Sequence, residues 1–217
     1  MNINLYPIIS DQISKPALEV VLKELESVLD KGTAGTIVEL GCYIGTTSLF
    51  IRRVLNEHKD NRPFHVYDSF EGLPPKSTQD SSAAGVDFKA GELAVSKKQF
   101  LEQFRRSHLE PPITHKAWFN KLTDANLPDQ IAFAFLDGDF YESILTSLQL
   151  VWPRLNKDGI ITVDDYHRET LPGVERAILD FFQGKSYRLR YAHNIAIITK
   201  GWGIGDESSR TDTGRYF

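Results

Sequence analysis

The sequence predicts an α/β protein, a doubly wound seven-stranded sheet that is mostly parallel and carries an antiparallel hairpin at its C-terminal edge. Three observations predict it. Short β-branched apolar runs alternate with segments of helical period about five times along the chain. One run, Ile131 to Leu136, is apolar at every position, as a strand buried on both faces of a parallel sheet is. The last two runs lie too close together to hold a helix between them, so they must pair as a hairpin.

Each element has its own signal. Ser14-Lys15-Pro16 offers a hydroxyl cap followed by a first-turn proline. Leu18, Val21, Leu22, Leu25, Val28 and Leu29 follow at helical spacing, and Gly32 suits the C-terminal cap. Thr36 to Leu40 reads as the first strand, Gly41 to Gly45 as a turn, and Thr46 to Asn56 as a helix. Pro63 to Asp68 is the second strand. The polar, small-residue stretch from Lys76 to Gly91 predicts a mobile loop of the length that often forms a lid. Phe100, Leu101 and Phe104 mark a helix, and Ile113 to Trp118 a third strand. After the fourth strand, Ile144, Leu148, Val151 and Leu155 give a helix. Gly159 to Val163 is the fifth strand. Val174, Ala177, Ile178, Phe181 and Phe182 form a helical stripe. Tyr187 to Tyr191 and Asn194 to Thr199 close the sheet. The organisation expected is a helical segment over 1–32, one domain over 33–200 and a polar tail over 201–217.

Composition narrows the function. With 217 residues, 41% hydrophobic and 25% charged, the chain suits one globular domain. Lys plus Arg is 25 against 29 for Asp plus Glu, a formal charge of −4, which argues against a general nucleic-acid binder. No apolar run approaches the roughly 18 residues that a membrane span needs. The first ten residues lack a basic segment and a small-residue cleavage site, so no signal peptide is expected. A single cysteine, Cys42, excludes an internal disulfide and favours a reducing cytoplasm. Cys42 has no visible base partner and reads as a small packed residue. A homodimer is the base-rate expectation for assembly.

In an open parallel sheet, ligands bind outside the carboxyl ends of the strands, near the switch in strand order. The residues expected there are Glu39, Gly41, Tyr43 and Gly45 after the first strand, Asp68 and Ser69 after the second, and Trp118 and Phe119 after the third. Asp137 and Asp139 follow the fourth and Asp164 and Asp165 the fifth. The glycines let the backbone approach a ligand at a helix N-terminus. Tyr43 replaces the middle glycine of a dinucleotide loop, which disfavours a pyrophosphate and with it a nicotinamide-dependent oxidoreductase. Asp68 lies 27 residues after Gly41, where a carboxylate accepts both hydroxyls of a ribose. Asp137, Asp164 and Asp165 would repel one another unless a cation neutralises them, and an all-oxygen set suits Mg²⁺ or another hard divalent ion. Each could instead cap the turn or helix that follows. Asp139 is the candidate general base, with His167 as its rival. Trp118 and Phe119 could wall a purine or serve as ordinary core aromatics.

These stretches resemble a known family. Val38-Glu39-Leu40-Gly41-Cys42-Tyr43-Ile44-Gly45 is similar to the first motif of class I S-adenosylmethionine-dependent methyltransferases, which share a Rossmann-like sheet. Three further stretches carry the likeness: Tyr67 to Pro74, Leu136 to Ser143, and Val163 to Tyr166 with Gly173 and the helix around Ala177 to Phe181. Together they resemble the macrocin O-methyltransferase family over roughly residues 33 to 200. The resemblance implies methyl transfer from S-adenosylmethionine to a hydroxyl of a small molecule, most simply a sugar of a natural product. It implies Mg²⁺ on Asp137, Asp164 and Asp165 and the base on Asp139. It implies cofactor contacts on Glu39, Gly41, Tyr43, Gly45, Asp68, Ser69, Trp118, Phe119 and Asp137. A catechol or phenol acceptor would use the same site with a different pocket. The chain before Thr36 is short for gripping a large macrolide, so Lys76 to Gly91 is the expected lid.

Overall fold

The computed structural model describes residues 1–85 and 88–201. The expected tail beyond Gly201 and the two residues 86–87 of the expected lid lie outside the described residues. Seven strands form one sheet in the order β3-β2-β1-β4-β5-β7-β6. They are β1 (Thr36–Leu40), β2 (Phe64–Asp68), β3 (Ile113–Lys116), β4 (Ile131–Leu136), β5 (Leu155–Val163), β6 (Tyr187–Ala192) and β7 (Ile195–Lys200). The first five pair in parallel, β7 runs antiparallel to β5, and β6 closes the hairpin as the edge strand. The α/β, mostly parallel sheet with its antiparallel C-terminal hairpin is therefore as expected. The strand order reverses direction between β1 and β4, which is the switch point.

Among the described residues five α-helices cover the sheet: α1 (Lys15–Asp30), α2 (Thr46–Glu57), α3 (Lys97–Arg106), α4 (Tyr141–Val151) and α5 (Pro172–Phe182). Ser14 caps α1 by accepting the Ala17 N–H at 3.2 Å, and Gly32 follows the helix end at φ +64°. Successive strand residues point to opposite faces, and the core divides accordingly. Ile37, Phe64, Val66, Phe133 and Phe135 join α1, α2 and α3 on one face. Val38, Leu40, Ala134, Leu136 and Val163 join α4 and α5 on the other. All six residues of β4 are buried. Cutting Phe133 or Phe135 to alanine would cost about 3–5 kcal/mol, because the close-packed sheet cannot collapse around the gap.

Two strand boundaries differ from expectation by more than one residue. β3 stops at Lys116, and Trp118 and Phe119 belong to a 3-10 turn beyond it. β5 begins at Leu155 rather than Gly159; the polar Asn156, Lys157 and Asp158 hide its start, and the pairing of Leu155 with Ile131 supplies it. Part of the expected mobile loop is also docked. Thr78–Asp80 forms a 3-10 turn capped by Ser77, and Asp80 is buried. Among the described residues no helix is long and apolar enough to cross a membrane.

Candidate active site at the strand carboxyl ends

The parallel register aligns Leu40 with Tyr67 and Leu136, and Leu136 with Val163, so the turns after β1, β2, β4 and β5 meet at one edge. The turn after β1 is built on two close approaches. Asp137 N–H donates to the Leu40 carbonyl at 2.9 Å, and Gly41 N–H donates to the Tyr67 carbonyl at 2.9 Å. Gly41 has φ +89°, and a Cβ there would lie 1.8 Å from the Asp137 carbonyl oxygen. Only glycine meets both demands. Tyr43 is itself left-handed at φ 46°.

Asp68 at the end of β2 braces this turn. Its Oδ2 accepts the N–H groups of Cys42 at 2.9 Å and Tyr43 at 3.3 Å, and its Oδ1 accepts the Phe70 N–H at 2.7 Å. Oδ2 is filled by its two N–H donors, and Oδ1 keeps a lone pair for a hydroxyl. Ser69 Oγ donates to the Gly72 carbonyl at 3.2 Å and accepts the Glu71 N–H at 3.1 Å, which turns the chain under the site.

A cavity of about 420 Å³ opens above these turns, a size suited to a small organic ligand. Of the residues expected at the site, Gly41, Tyr43, Asp68, Ser69, Trp118, Phe119, Asp137, Asp139 and Asp165 line it. Glu39, Gly45, Asp164 and His167 do not. Glu39 shares its strand face with Ile37, and this turns its side chain under α2, where it accepts a hydrogen bond from Ser48 Oγ. Its Oε1 has no hydrogen-bond partner among the described residues, and burial raises its pKa to about 8. Gly45, at φ +96°, lets α2 start against the Phe100 ring, which a Cβ would meet at 2.9 Å. His167 points to Glu175, with Nδ1 3.0 Å from Oε2.

The acidic edge has a different character. Asp137, Asp139 and Asp165 each place a carboxylate oxygen within 4.8 Å of the others. Asp139 and Asp165 hold left-handed backbones, at φ 58° and 57°. Asp164 lies deeper, with Oδ1 accepting the Asp165 N–H at 2.8 Å. Burial, then repulsion from Asp164, Asp139 and Asp165, pushes the Asp137 carboxyl well above its ordinary range. Burial and then Asp165 raise Asp164 likewise. Burial and then the Asp165 carboxylate take Asp139 to about 8, opposed by Arg168 and Lys76. Arg168 Nη1 donates to Asp165 Oδ1 at 2.8 Å. An all-carboxylate set that repels itself fits a hard cation, which would relieve the repulsion.

Sequence reading alone did not reach Gln12, Leu73, Pro74, Leu93 and Arg168, which also line the cavity. Gln12 belongs to the segment before α1, which Ser10 Oγ ties to Thr46 Oγ1 at 2.8 Å. Leu73 and Pro74 end the Tyr67 to Pro74 stretch that carries the family likeness, and Arg168 lies three residues after the paired aspartates, but no motif marks Gln12 or Leu93.

Comparison with known proteins finds one family. A family model described as macrocin-O-methyltransferase (TylF) matches residues 10–190. An 8-demethyl-8-(2,3-dimethoxy-alpha-L-rhamnosyl)-tetracenomycin-C 4'-O-methyltransferase of Streptomyces olivaceus is 36% identical over 149 residues, 65% of this chain and 57% of that protein. A demethyldecarbamoylnovobiocin O-methyltransferase of Streptomyces niveus is 29% identical, over 69% of this chain and 59% of that one. The chain thus spans less than two thirds of the length of these curated relatives. The solved structure of the O-methyltransferase NovP superposes with a TM-score of 0.73 at 25% identity, covering 85% of this chain and 78% of that one.

Proposed function

The chain belongs to the macrocin-O-methyltransferase (TylF) family, and on that premise we propose that it methylates a hydroxyl on the sugar of a natural product, with S-adenosylmethionine as donor and a hard divalent cation at the acidic edge. The observation that carries this reading is one cavity lined at once by the braced glycine turn with Asp68 and by the Asp137, Asp139 and Asp165 carboxylates. The donor supplies an electrophilic methyl group on a sulfonium. The cation would supply positive charge that draws a substrate oxygen toward its ionised form.

The chain's own residues do the rest. Asp68 is pre-set by three backbone N–H groups to accept ribose hydroxyls. Trp118 and Phe119 offer faces for a purine, and Leu73, Pro74 and Leu93 supply an apolar wall. Asp137 and Asp165 would hold the cation. The third ligand is Asp164 by family resemblance and Asp139 by proximity. Asp139 is the base of this proposal. It lines the cavity, whereas His167 turns aside to Glu175. With its carboxyl raised to about 8, Asp139 needs nearby positive charge to accept a proton at neutral pH. Tyr43 on the cavity wall, where a dinucleotide loop has glycine, speaks against a nicotinamide cofactor.

The test is a methyl-transfer assay with S-adenosylmethionine on a rhamnoside of an aromatic aglycone and on a catechol, each with Mg²⁺ and with EDTA. The proposal expects a methylated rhamnoside by mass spectrometry, formed only with Mg²⁺. Catechol as the better acceptor would move the assignment to phenols. Full turnover in EDTA would remove the cation. Asp164→Asn and Asp139→Asn, compared for Mg²⁺ dependence, decide the third ligand. Unchanged turnover in Asp139→Asn would shift the base to His167.

A further inference from the structure

We propose that Asp80 is a positioning residue that caps α4 from a distant segment and so holds the turn bearing Asp139 against the start of α5. This inference rests on the methyl-transfer reading above for its kinetic consequence, though not for its geometry.

Helix α4 starts without a cap of its own. Its N-cap residue is Phe140, which offers no side-chain hydrogen bond to the exposed N–H groups of the first turn. Asp80, 61 residues earlier, does so instead: its Oδ1 accepts the Tyr141 N–H at 2.7 Å. Oδ2 accepts both the Ser77 N–H at 2.8 Å and the Ser77 hydroxyl at 2.7 Å. The carboxylate is 3% exposed and both oxygens are in use. Its charge also faces the positive end of α4.

The start of α5 closes over this bond. A Cβ on Gly173 would lie 1.9 Å from Asp80 Oδ1 and 2.9 Å from the Tyr141 nitrogen, so only glycine lets α5 cover the cap. Two outer ties hold the same junction. Arg176 Nη1 donates to the Gln79 carbonyl at 2.5 Å, and Ser82 Oγ to the Glu169 carbonyl at 2.6 Å. One buried carboxylate thus joins the 77–82 segment to both helices that follow the acidic turns.

The consequence for the site runs through two residues. Asp139 lies two positions before Tyr141 in a left-handed conformation, and the Phe140 N–H closes a tight turn on the Gly138 carbonyl at 2.6 Å. Without the Asp80 bond, the first turn of α4 loses its anchor and the Asp139 carboxyl loses its fixed direction. Asp80 does not line the cavity, so donor binding should be spared.

The experiment compares wild type with Asp80→Ala, Asp80→Asn and Gly173→Ala. It measures S-adenosylhomocysteine binding by calorimetry, kcat and KM on the rhamnoside, and amide exchange at the start of α4. The expected result for Asp80→Ala is a kcat lower by about tenfold to a hundredfold, because a displaced reacting group costs rate steeply. KM and the S-adenosylhomocysteine affinity should move by less than about threefold. Asp80→Asn, whose Oδ1 still accepts the Tyr141 N–H, should recover part of the loss, and Gly173→Ala should reproduce it. Faster exchange around Tyr141 should accompany each loss. A folded Asp80→Ala with kcat within about twofold of wild type would overturn the proposal, as would Asp80→Asn no better than alanine. Should Asp80→Ala fail to fold, Asp80→Asn and Gly173→Ala are judged by the same kinetic split. If the wild type binds S-adenosylhomocysteine but methylates neither acceptor, the assigned reaction fails, and exchange alone decides whether Asp80 caps α4. Unchanged exchange in the variants overturns the cap.

Discussion

The two halves of the cavity solve opposite problems. In the turn after β1, polar groups answer one another: Asp68 accepts three backbone N–H groups, and Gly41 lets the chain lie against Asp137. Across the cavity, Asp137, Asp139 and Asp165 face one another with Arg168 as a cationic partner of Asp165. The first half is finished by the protein. The second holds like charges together, which the proposed cation would relieve. A site built this way would bind the donor with little reorganisation, and the cation would stabilise the fold.

The harshest way to break the contrast is Gly41→Ala. The added methyl would overlap the Asp137 carbonyl at φ +89°, so both halves should fail together. We expect a loss of about 3 kcal/mol or more in denaturant unfolding, and no calorimetric binding of S-adenosylhomocysteine. A stable, binding variant would mean that the halves are not mechanically joined.

A second measurement sharpens the contrast through pH. Asp139 is raised to about 8 in the folded state, against about 4 for an unfolded carboxyl. Between those values the folded protein holds more protons, so stability should fall as pH rises. Burial lowers the pKa of His65 and His115, whose slope has the opposite sign below about 6.5, the value of a free histidine. The decisive interval is therefore about pH 7 to 8, above the histidines, where Asp139 and Glu39, both raised to about 8, set the slope together and only the Asp139 part answers to a cation at the acidic edge. In EDTA the melting temperature should drop across it, and Mg²⁺ should flatten the drop. A flat profile in EDTA would show that the acidic edge is relaxed.

The mildest change is Asp68→Asn, because the hydrogen bonds of Asp68 lie only in the finished half. Its amide nitrogen cannot accept a backbone N–H, so S-adenosylhomocysteine should bind about 2 kcal/mol, or roughly thirtyfold, more weakly. The pH profile of stability between 7 and 8 should shift only slightly, because the Asp68 charge is one of the lesser causes that hold the Asp139 carboxyl up. A large shift would show that the two halves form one tightly coupled electrostatic system.

What the sequence made legible follows the same division. The turn after β1 announces itself through glycines and an acid at a fixed distance, so Gly41, Tyr43, Asp68 and Ser69 were all legible as cavity residues. Asp137, Asp139 and Asp165 were legible because they end strands. Glu39 misleads: it sits in the motif, yet strand alternation carries it under α2 to Ser48. Asp80 was illegible because Ser77-Thr78-Gln79-Asp80 has the composition of any polar loop, and its partner Tyr141 is remote in sequence. Gln12 and Leu93 reach the cavity by tertiary packing alone. Local patterns report what neighbours along the chain enforce, and these residues are placed by neighbours across the fold.

The strand order has one more consequence. β1 lies beside β4, and the Leu40–Asp137 hydrogen bond spans almost a hundred positions of chain. During synthesis the glycine turn and Asp68 are made early, yet the wall against which Gly41 rests is still missing. A nascent chain halted before Ile131 would carry most of the proposed donor-binding residues without the β4 wall behind Gly41. Binding competence should thus arrive in one step, when β4 slides in beside β1, and should not accumulate as the polypeptide lengthens.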